Sequence, residues 1–327
     1  MKDFIKNLKI KILNNGEITY DEAKKLLNIS IDDNDLLEEL CGSANEIRKK
    51  FCGDRFDLCS ITNAKSGKCS ENCKYCAQSS FFNTGIKAYP LISKEKALEE
   101  AKKVEIEGVH RHSLVTSGRG IDKNSKELKE LEKIYLHLKE NTSLSLCASH
   151  GICDEETLKT LYNSGVETYH HNLETSRDFY DKICTTHTYD ERINTIKLAK
   201  KVGLKVCSGG IWGLGESEED RIKMAFELKK LEISSVPINV LMAIKGTPLE
   251  NNKPLEKREI LKMIGIYRFI LPKSFLRYAG GRIHLEELQE KGIASGVNSA
   301  LTGNFLTTTG TTIEKDKEMI RKNGYEI

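Results

Sequence analysis

From residue 57 onward the sequence repeats one alternation, a short β-prone run followed by an amphipathic helical run. The strand candidates are Asp57–Thr62, Val109–Val115, Ser143–Ala148, Val166–Asn172, Lys205–Ser208, Ser235–Leu241, Phe275–Tyr278 and Val297–Leu301. The helical runs between them carry their own end signals. Asp154 can cap a helix with Leu158, Leu161 and Tyr162 on one face, and Gly165 can close it. Asp190 can open another with Ile193 and Ile196, ended by Gly203. Ser217-x-x-Asp220 has the form of a capping box, and Ala97, Leu98, Ala101 and Val104 have the spacing of a buried helical stripe. Parallel strands need crossover helices, so eight strands alternating with helices indicate a parallel α/β sheet, and the count of eight points to a closed (βα)8 TIM-type barrel. An open doubly wound sheet is the alternative, but the glycine-rich dinucleotide turn is missing after the first strand. Residues 1–55 are charged and helical in pattern, with Asp21 placed to cap a helix carrying Ala23, Leu26 and Leu27. They read as an N-terminal helical extension on a barrel that occupies 56–327 with a C-terminal tail.

Length and composition narrow the function. The 327 residues, 39% hydrophobic, can bury a large core. With 51 basic and 48 acidic residues the net charge is +3, which gives no argument for nucleic acid or a membrane as partner. No run of about 18 apolar residues occurs. The N-terminus alternates Lys with Ile and Leu and lacks a signal-peptide core, so a cytoplasmic location is expected. In a reducing cytosol, 10 cysteines point to metal binding or catalysis rather than disulfides. Cys41, Cys52 and Cys153 read as small buried hydrophobes.

The strongest local signal is Cys69-Ser-Glu-Asn-Cys73-Lys-Tyr75-Cys76, directly after the first strand. Three thiolates at this spacing can wrap three corners of an iron–sulfur cubane. No fourth Cys follows nearby, so one iron can stay open, whereas structural zinc would want four closed ligands. The spacing, with the aromatic Tyr75 before the third Cys, resembles the radical S-adenosylmethionine superfamily. The resemblance implies a [4Fe-4S] cluster whose open iron chelates S-adenosylmethionine and whose electron yields a 5′-deoxyadenosyl radical. Barrel active sites sit at the C-terminal face, where this loop falls.

Further thiols fall on odd strands: Cys59 on the first, Cys147 on the third, Cys207 on the fifth, with Arg277 on the seventh. Alternate strands of an eight-stranded barrel contribute to one interior layer, so these residues can meet inside. Each Cys could also be a core filler. Arg277 resists that reading, because a buried guanidinium needs a partner, and an anionic thiolate-ligated cluster would supply one.

The sequence from about residue 57 to 310 resembles the biotin synthase family. The match includes Cys69 to Ser80, Tyr169-His-His-Asn-Leu-Glu-Thr-Ser176, Thr185-Thr-His-Thr-Tyr-Asp-Glu-Arg192, Val206-Cys-Ser-Gly-Gly-Ile-Trp-Gly-Leu-Gly-Glu216, Val236-Pro-Ile-Asn239, Gly246-Thr-Pro248 and Gly280-Gly-Arg282. The resemblance implies radical insertion of sulfur into dethiobiotin, with a second Fe–S cluster as sulfur donor and Cys147, Cys207 and Arg277 at its positions. Where the familiar pattern has a Cys on the second strand, this chain has Ser113. Where the pattern usually has Ser on the first strand, this chain has Cys59, so Cys59 joins the ligand set and the cluster's nuclearity stays open. Cys184 is either an extra thiol of the site or a core or loop residue, with the second reading preferred. Tyr75, His171, Glu174, Arg192 and Ile211 are implied to hold S-adenosylmethionine: Glu174 by accepting from ribose hydroxyls, Arg192 by reaching a carboxylate as a fork, and Ile211 in the Gly209–Glu216 run beside adenine. Asn172 and Asn239 have the donors and acceptors that match the ureido ring, although backbone satisfaction would explain a buried Asn equally well. Of the His170-His171 pair, alternation along a strand favours His171 alone. A low-potential flavodoxin or ferredoxin, Fe–S assembly machinery and a homodimer go with the family. The alternatives are another radical barrel enzyme, such as a hydrogenase maturase, and a non-catalytic Fe–S electron carrier.

Overall fold

The computed structural model describes residues 1–303 and 311–327; residues 304–310, at the end of the family-like stretch, lie outside it. The strands are β1 Asp57–Lys65, β2 Arg111–Thr116, β3 Ser145–Ser149, β4 Val166–His170, β5 Lys205–Cys207, β6 Gly210–Trp212, β7 Ser235–Val240, β8 Phe275–Tyr278 and β9 Ser299–Leu301. All pair in parallel in the order β5-β4-β3-β2-β1-β9-β8-β7-β6, and β7 also pairs with β5 through Cys207 and Ser235. The sheet therefore closes. β5 and β6 share one place in the ring, which makes an eight-stave barrel from nine strands.

The break between β5 and β6 has a local cause. A Cβ on Gly209 would sit 2.0 Å from the Pro237 carbonyl oxygen, and one on Gly210 would sit 2.4 Å from Met224 Sδ and 2.5 Å from the Glu174 oxygen. Only glycine lets the backbone pass this close to β7 and to Glu174, whose own φ is +71°. The sequence predicts one strand here, Lys205–Ser208, and no separate strand at Gly210–Trp212.

Helix ends agree with the sequence where the cap is a side chain at the first turn. Asp154 accepts from Thr157 N–H, and Ser217 and Asp220 form a capping box. Two assignments are corrected. Thr19, not Asp21, caps the helix Tyr20–Leu26, and Thr188, not Asp190, caps Tyr189–Val202; each forms a box with a Glu three residues on. The Asp residues sit in the first turn, where they favour the helix dipole. Tyr162 is exposed rather than on the buried face of its helix.

Three helices precede the barrel: α1 Lys2–Leu13, α2 Tyr20–Leu26 and α3 Asn34–Cys52. α3 lies on the helix Lys257–Ile270, every residue of which from Ile260 to Ile270 is buried. Leu40 fills the groove that Gly265 leaves: a Cβ there would be 3.0 Å from Leu40 Cγ. Burying such a Leu contributes about 1.5–3 kcal/mol. At the same end Phe56 N–H donates to the Glu326 carbonyl at 2.7 Å, and Arg48 stacks 4.4 Å over the Tyr325 ring. Among the described residues no helix is long and apolar enough to cross a membrane.

Candidate active site

Strand parity decides what faces the barrel interior. On β1, Ser60 and Thr62 hydrogen-bond His112 of β2 on the outer face. Asp57, Cys59 and Ile61 therefore point inward. On β2 the inward set is Arg111, Ser113 and Val115; on β3 it is Ser145, Cys147 and Ser149. His170, Cys207, Ile211, Asn239 and Arg277 line a cavity of about 350 Å³ that runs up to Tyr75, Cys76, Asn172, Glu174 and Arg192 at the C-terminal ends of the strands. Residues drawn from nearly every part of the sequence reading thus share one space.

At the mouth, the loop after β1 is folded tightly on itself. Cys69 N–H donates to the Gln78 carbonyl (3.0 Å), Ser80 N–H to the Cys69 carbonyl (2.8 Å) and Cys76 N–H to the Cys73 carbonyl (2.9 Å). Asn72 pins the loop to the segment after Ile183 by donating to Thr185 Oγ1 at 2.7 Å and accepting from Thr185 N–H at 3.0 Å. Burial pushes the Cys76 thiol up to about 11 and raises Cys69 as well, so a thiolate here needs a cation such as iron beside it. Among the described residues Cys69, Cys73 and Cys76 do not form a trio with sulfurs within 4.8 Å. That spread suits separate irons of one cluster rather than a single ion, and the loop fits a cubane.

Of the two readings of Cys184, its surroundings favour the extra thiol. Its sulfur lies 3.6 Å from Cys73 Sγ and 3.0 Å from His187 Nδ1. His187 Nδ1 is also 2.7 Å from a Glu71 carboxylate oxygen, and its Nε2 accepts from Arg192. The hydrogen bond with Cys73, aided by His187, draws Cys184 down and holds Cys73 up.

Arg192 is buried and almost fully engaged. Its Nε donates to the Tyr180 hydroxyl (2.5 Å), Nη1 to the Asn172 carbonyl (3.0 Å) and Nη2 to His187 (2.8 Å), while Nη1 lies 3.7 Å from Glu174. Burial raises the Glu174 carboxyl, against the pull of Arg192. Burial, then Arg192 and His187, holds His171 well below its ordinary value, so the ring is neutral. Its Nε2 has no partner among the described residues, the kind of buried orphan atom that a bound cofactor would satisfy. Asn172 accepts from Gly209 N–H (3.1 Å); Asn239 accepts from Gly280 N–H and donates to the Gly210 carbonyl, both at 3.0 Å. Both amides are thus held by backbone, yet each lines the cavity with capacity left for a second bond.

The floor holds the other thiols. The sulfurs of Cys59 and Cys147 and a ring nitrogen of His170 lie within 4.8 Å of one another. Cys207 Sγ is 3.3 Å from Ser235 Oγ, which also accepts from Arg277 Nε. The partner expected for Arg277 was an anionic cluster. The structure supplies Asp57 instead, whose carboxylate pairs with Arg277 and, at 2.9 Å, with Arg111 Nε. Burial pushes Asp57 up, but Arg277 and then Arg111 outweigh it and hold the carboxyl below its usual range. Asp57 and His170 were both missed. Asp57 had a visible signal, a lone carboxylate two residues before Cys59 on the same inward face. The alternation argument that set His170 aside fails because β4 ends at His170; beyond it the chain turns, and both histidines line the cavity.

Comparison with known proteins agrees with this geometry. Residues 64–228 match the Radical SAM superfamily and residues 237–326 the Biotin and Thiamin Synthesis associated domain. A biotin synthase of Fusobacterium nucleatum is 63% identical across 100% of this chain and 91% of its own length. The chain belongs to the biotin synthase family. A biotin synthase of Clostridioides difficile is 52% identical with both chains fully covered. As a member of that family the chain is a radical S-adenosylmethionine enzyme of biotin formation, and a [4Fe-4S] cluster and S-adenosylmethionine belong to it. Solved structures share the barrel at low identity. The maturase HydG has a TM-score of 0.85 at 18% identity (99% of this chain, 75% of that one), and methylornithine synthase (PylB) 0.81 at 21% (98% and 96%).

Proposed function

We propose that this chain inserts sulfur into dethiobiotin within the single cavity described above, between a radical-generating cluster at the mouth and a sulfur-donating cluster at the floor. The observation that carries the reading is that one cavity is lined by Cys76 at its mouth and by Cys207 and Arg277 at its floor, with Asn172 and Asn239 on its walls. Cys69, Cys73 and Cys76 hold the [4Fe-4S] cluster. Cys59, Cys147, Cys207 and Arg277 surround the second Fe–S cluster. When bound, the cluster and S-adenosylmethionine together supply a carbon radical able to remove hydrogen from saturated C–H bonds that no side-chain base could deprotonate.

The side chains bind and orient. Glu174, fixed beside Tyr75 and Arg192, accepts from the ribose hydroxyls. His171 offers a neutral ring whose Nε2 is free to bond the cofactor. Ile211 and the glycines around it let adenine approach the backbone of β6. Arg192 acts mainly by holding Asn172, Glu174 and His187 in place, with one edge left for the cofactor carboxylate. Asn172 and Asn239 orient the ureido ring with the remaining donors and acceptors of their amides. Ile61, Val115, Val240 and Leu241 line the same cavity and exclude water from a reactive radical.

Residues 1–55 form the extension and 56–327 the catalytic barrel. A low-potential flavodoxin or ferredoxin as electron donor, Fe–S assembly machinery as supplier, a homodimer and a cytoplasmic location complete the proposal. The test is an anaerobic reaction of reconstituted protein with dethiobiotin, S-adenosylmethionine and a strong reductant, read by mass spectrometry. Biotin with 5′-deoxyadenosine is the expected result. Deoxyadenosine without biotin, from protein holding both clusters, would assign the chain another substrate, and an electron carrier would give neither.

A further inference from the structure

The floor of the barrel has one more candidate ligand than the thiols account for. We infer that His170 is an imidazole ligand of the second Fe–S cluster, in place of the thiolate that Ser113 does not supply. The inference rests on the reading that a second cluster occupies the floor of the cavity.

Position comes first. His170 is the last residue of β4 and pairs in register with Cys207 of β5, while Cys147 of β3 pairs with Thr168 two residues earlier. His170 therefore shares the inward parity of Thr168 and reaches the floor from between the strands of Cys147 and Cys207. One ring nitrogen falls within 4.8 Å of both Cys59 Sγ and Cys147 Sγ. Ligands that close to one another can meet on a single iron.

Hydrogen bonding separates His170 and His171 from the buried histidines that protein side chains hold. His112 is held by Ser60 and Thr62, His150 by Thr116 and Tyr135, and His187 by Glu71 and Arg192. Among the described residues no protein side chain is seen to hold the His170 ring in this way, and the half-buried ring opens into the cavity. A half-buried imidazole that opens into the cavity with two thiols within 4.8 Å is placed as a ligand would be.

Arg277 presents the opposite case. Nε donates to Ser235, Nη1 to the Asp57 and Ala300 carbonyls, and Nη2 to the Asp57 carboxylate. Four of its five N–H groups are already engaged by protein. Ser113 Oγ is fully buried and unpartnered, and it sits opposite Cys147 where a thiol would complete the set. Cys59, Cys147, Cys207 and His170 then make four protein ligands, with Arg277 as a neighbouring cation. An imidazole in place of one thiolate leaves the cluster less negative by one unit, which shifts its reduction potential upward.

The test uses the reconstituted holoenzyme. An anaerobic crystal structure recorded at the iron absorption edge should place an iron about 2.1 Å from a His170 ring nitrogen. In solution, pulsed EPR of protein grown with 15N-histidine should show a nitrogen coupling on the second cluster that changes with the isotope. That coupling should be lost in His170→Ala and kept in His171→Ala. His170→Cys should lower the cluster's potential. Iron on the floor with the His170 ring beyond bonding distance would overturn the inference and leave the second cluster standing. Metal held by Cys59, Cys147 and His170 without matching sulfide would also overturn it, in favour of a mononuclear site. Iron at the mouth alone would refute the second-cluster reading, and this inference with it.

Discussion

Removing the Asp57 carboxylate should be among the most damaging single changes outside the ligand set. Asp57 and Arg277 are 6% and 4% exposed, and Arg111 Nε reaches the same carboxylate. Asp57→Asn would leave two guanidiniums near the barrel floor without the carboxylate that both engage. Breaking a buried pair from one side costs roughly 3–5 kcal/mol. Unfolding entropy near 2.1 cal/mol/K per residue over 327 residues gives about 0.7 kcal/mol/K, so the Tm should fall by roughly 4–7 °C. Arg277→Met should cost less, because Asp57 keeps Arg111. The double variant Asp57→Asn, Arg277→Met should recover part of the loss, since it no longer confines both guanidiniums around a neutral amide. Anaerobic calorimetry of the three reconstituted variants gives the coupling directly. A Tm for Asp57→Asn within about 1 °C of the parent, or a double variant that is merely the sum of the singles, would show that this pair does not hold Arg277 at the cavity floor.

Three further outcomes follow from the same structure. Burial lowers His112 from 6.5 to about 4. The unfolded chain therefore binds this proton first, and the stabilisation is fully present above pH 6.5 and lost as pH falls towards 4. Between pH 7 and 5 that is about 2 kcal/mol, and urea unfolding of His112→Asn should show a correspondingly flatter pH dependence; an unchanged slope would remove His112 from the account. Gly210→Ala would drive a Cβ to 2.4 Å from Met224 Sδ and 2.5 Å from the Glu174 oxygen, so it should cost about 1–3 kcal/mol and raise the KM for S-adenosylmethionine, and an unaltered KM would argue that Glu174 does not hold the cofactor. Cys59→Ala should lower iron and sulfide content while 5′-deoxyadenosine formation continues. Unchanged metal content with full biotin formation would take Cys59 out of the ligand set.

Much of the fold was legible because short β-prone runs alternate with helices that carry their own end signals, and all eight predicted runs overlap observed strands. The misplaced caps have a common cause. In Thr19-Tyr-Asp-Glu22 and Thr188-Tyr-Asp-Glu191 a Thr and an Asp two residues apart can both open a helix, and the reciprocal Glu at the third position selects the Thr. The β5–β6 break could not be read from either strand alone. It depends on the Pro237 carbonyl and the Glu174 backbone approaching Gly209 and Gly210 from other parts of the chain.

For the site, parity was the usable information, and its misuse explains what was missed. Assigning Cys59 inward also assigns Asp57 inward, because the two differ by one period of the strand. A carboxylate facing a barrel core then requires a cation, and Arg277 had already been placed there for want of an anion. The two solve each other without a cluster, so the burial of Arg277 is no longer by itself evidence for one. What still points to metal is the ligand chemistry beside that pair: the thiols of Cys59 and Cys147 and a His170 ring nitrogen within 4.8 Å of one another, with Cys207 lining the same cavity. Cys207 fixes the same parity for His170 through their register. The rule that excluded one member of the His170-His171 pair held only while the strand continued, and β4 stops between them. Where a strand ends at a barrel mouth, two consecutive side chains can face one cavity. That geometry lets His170, the last residue of β4, and His171, the first beyond it, line the same cavity.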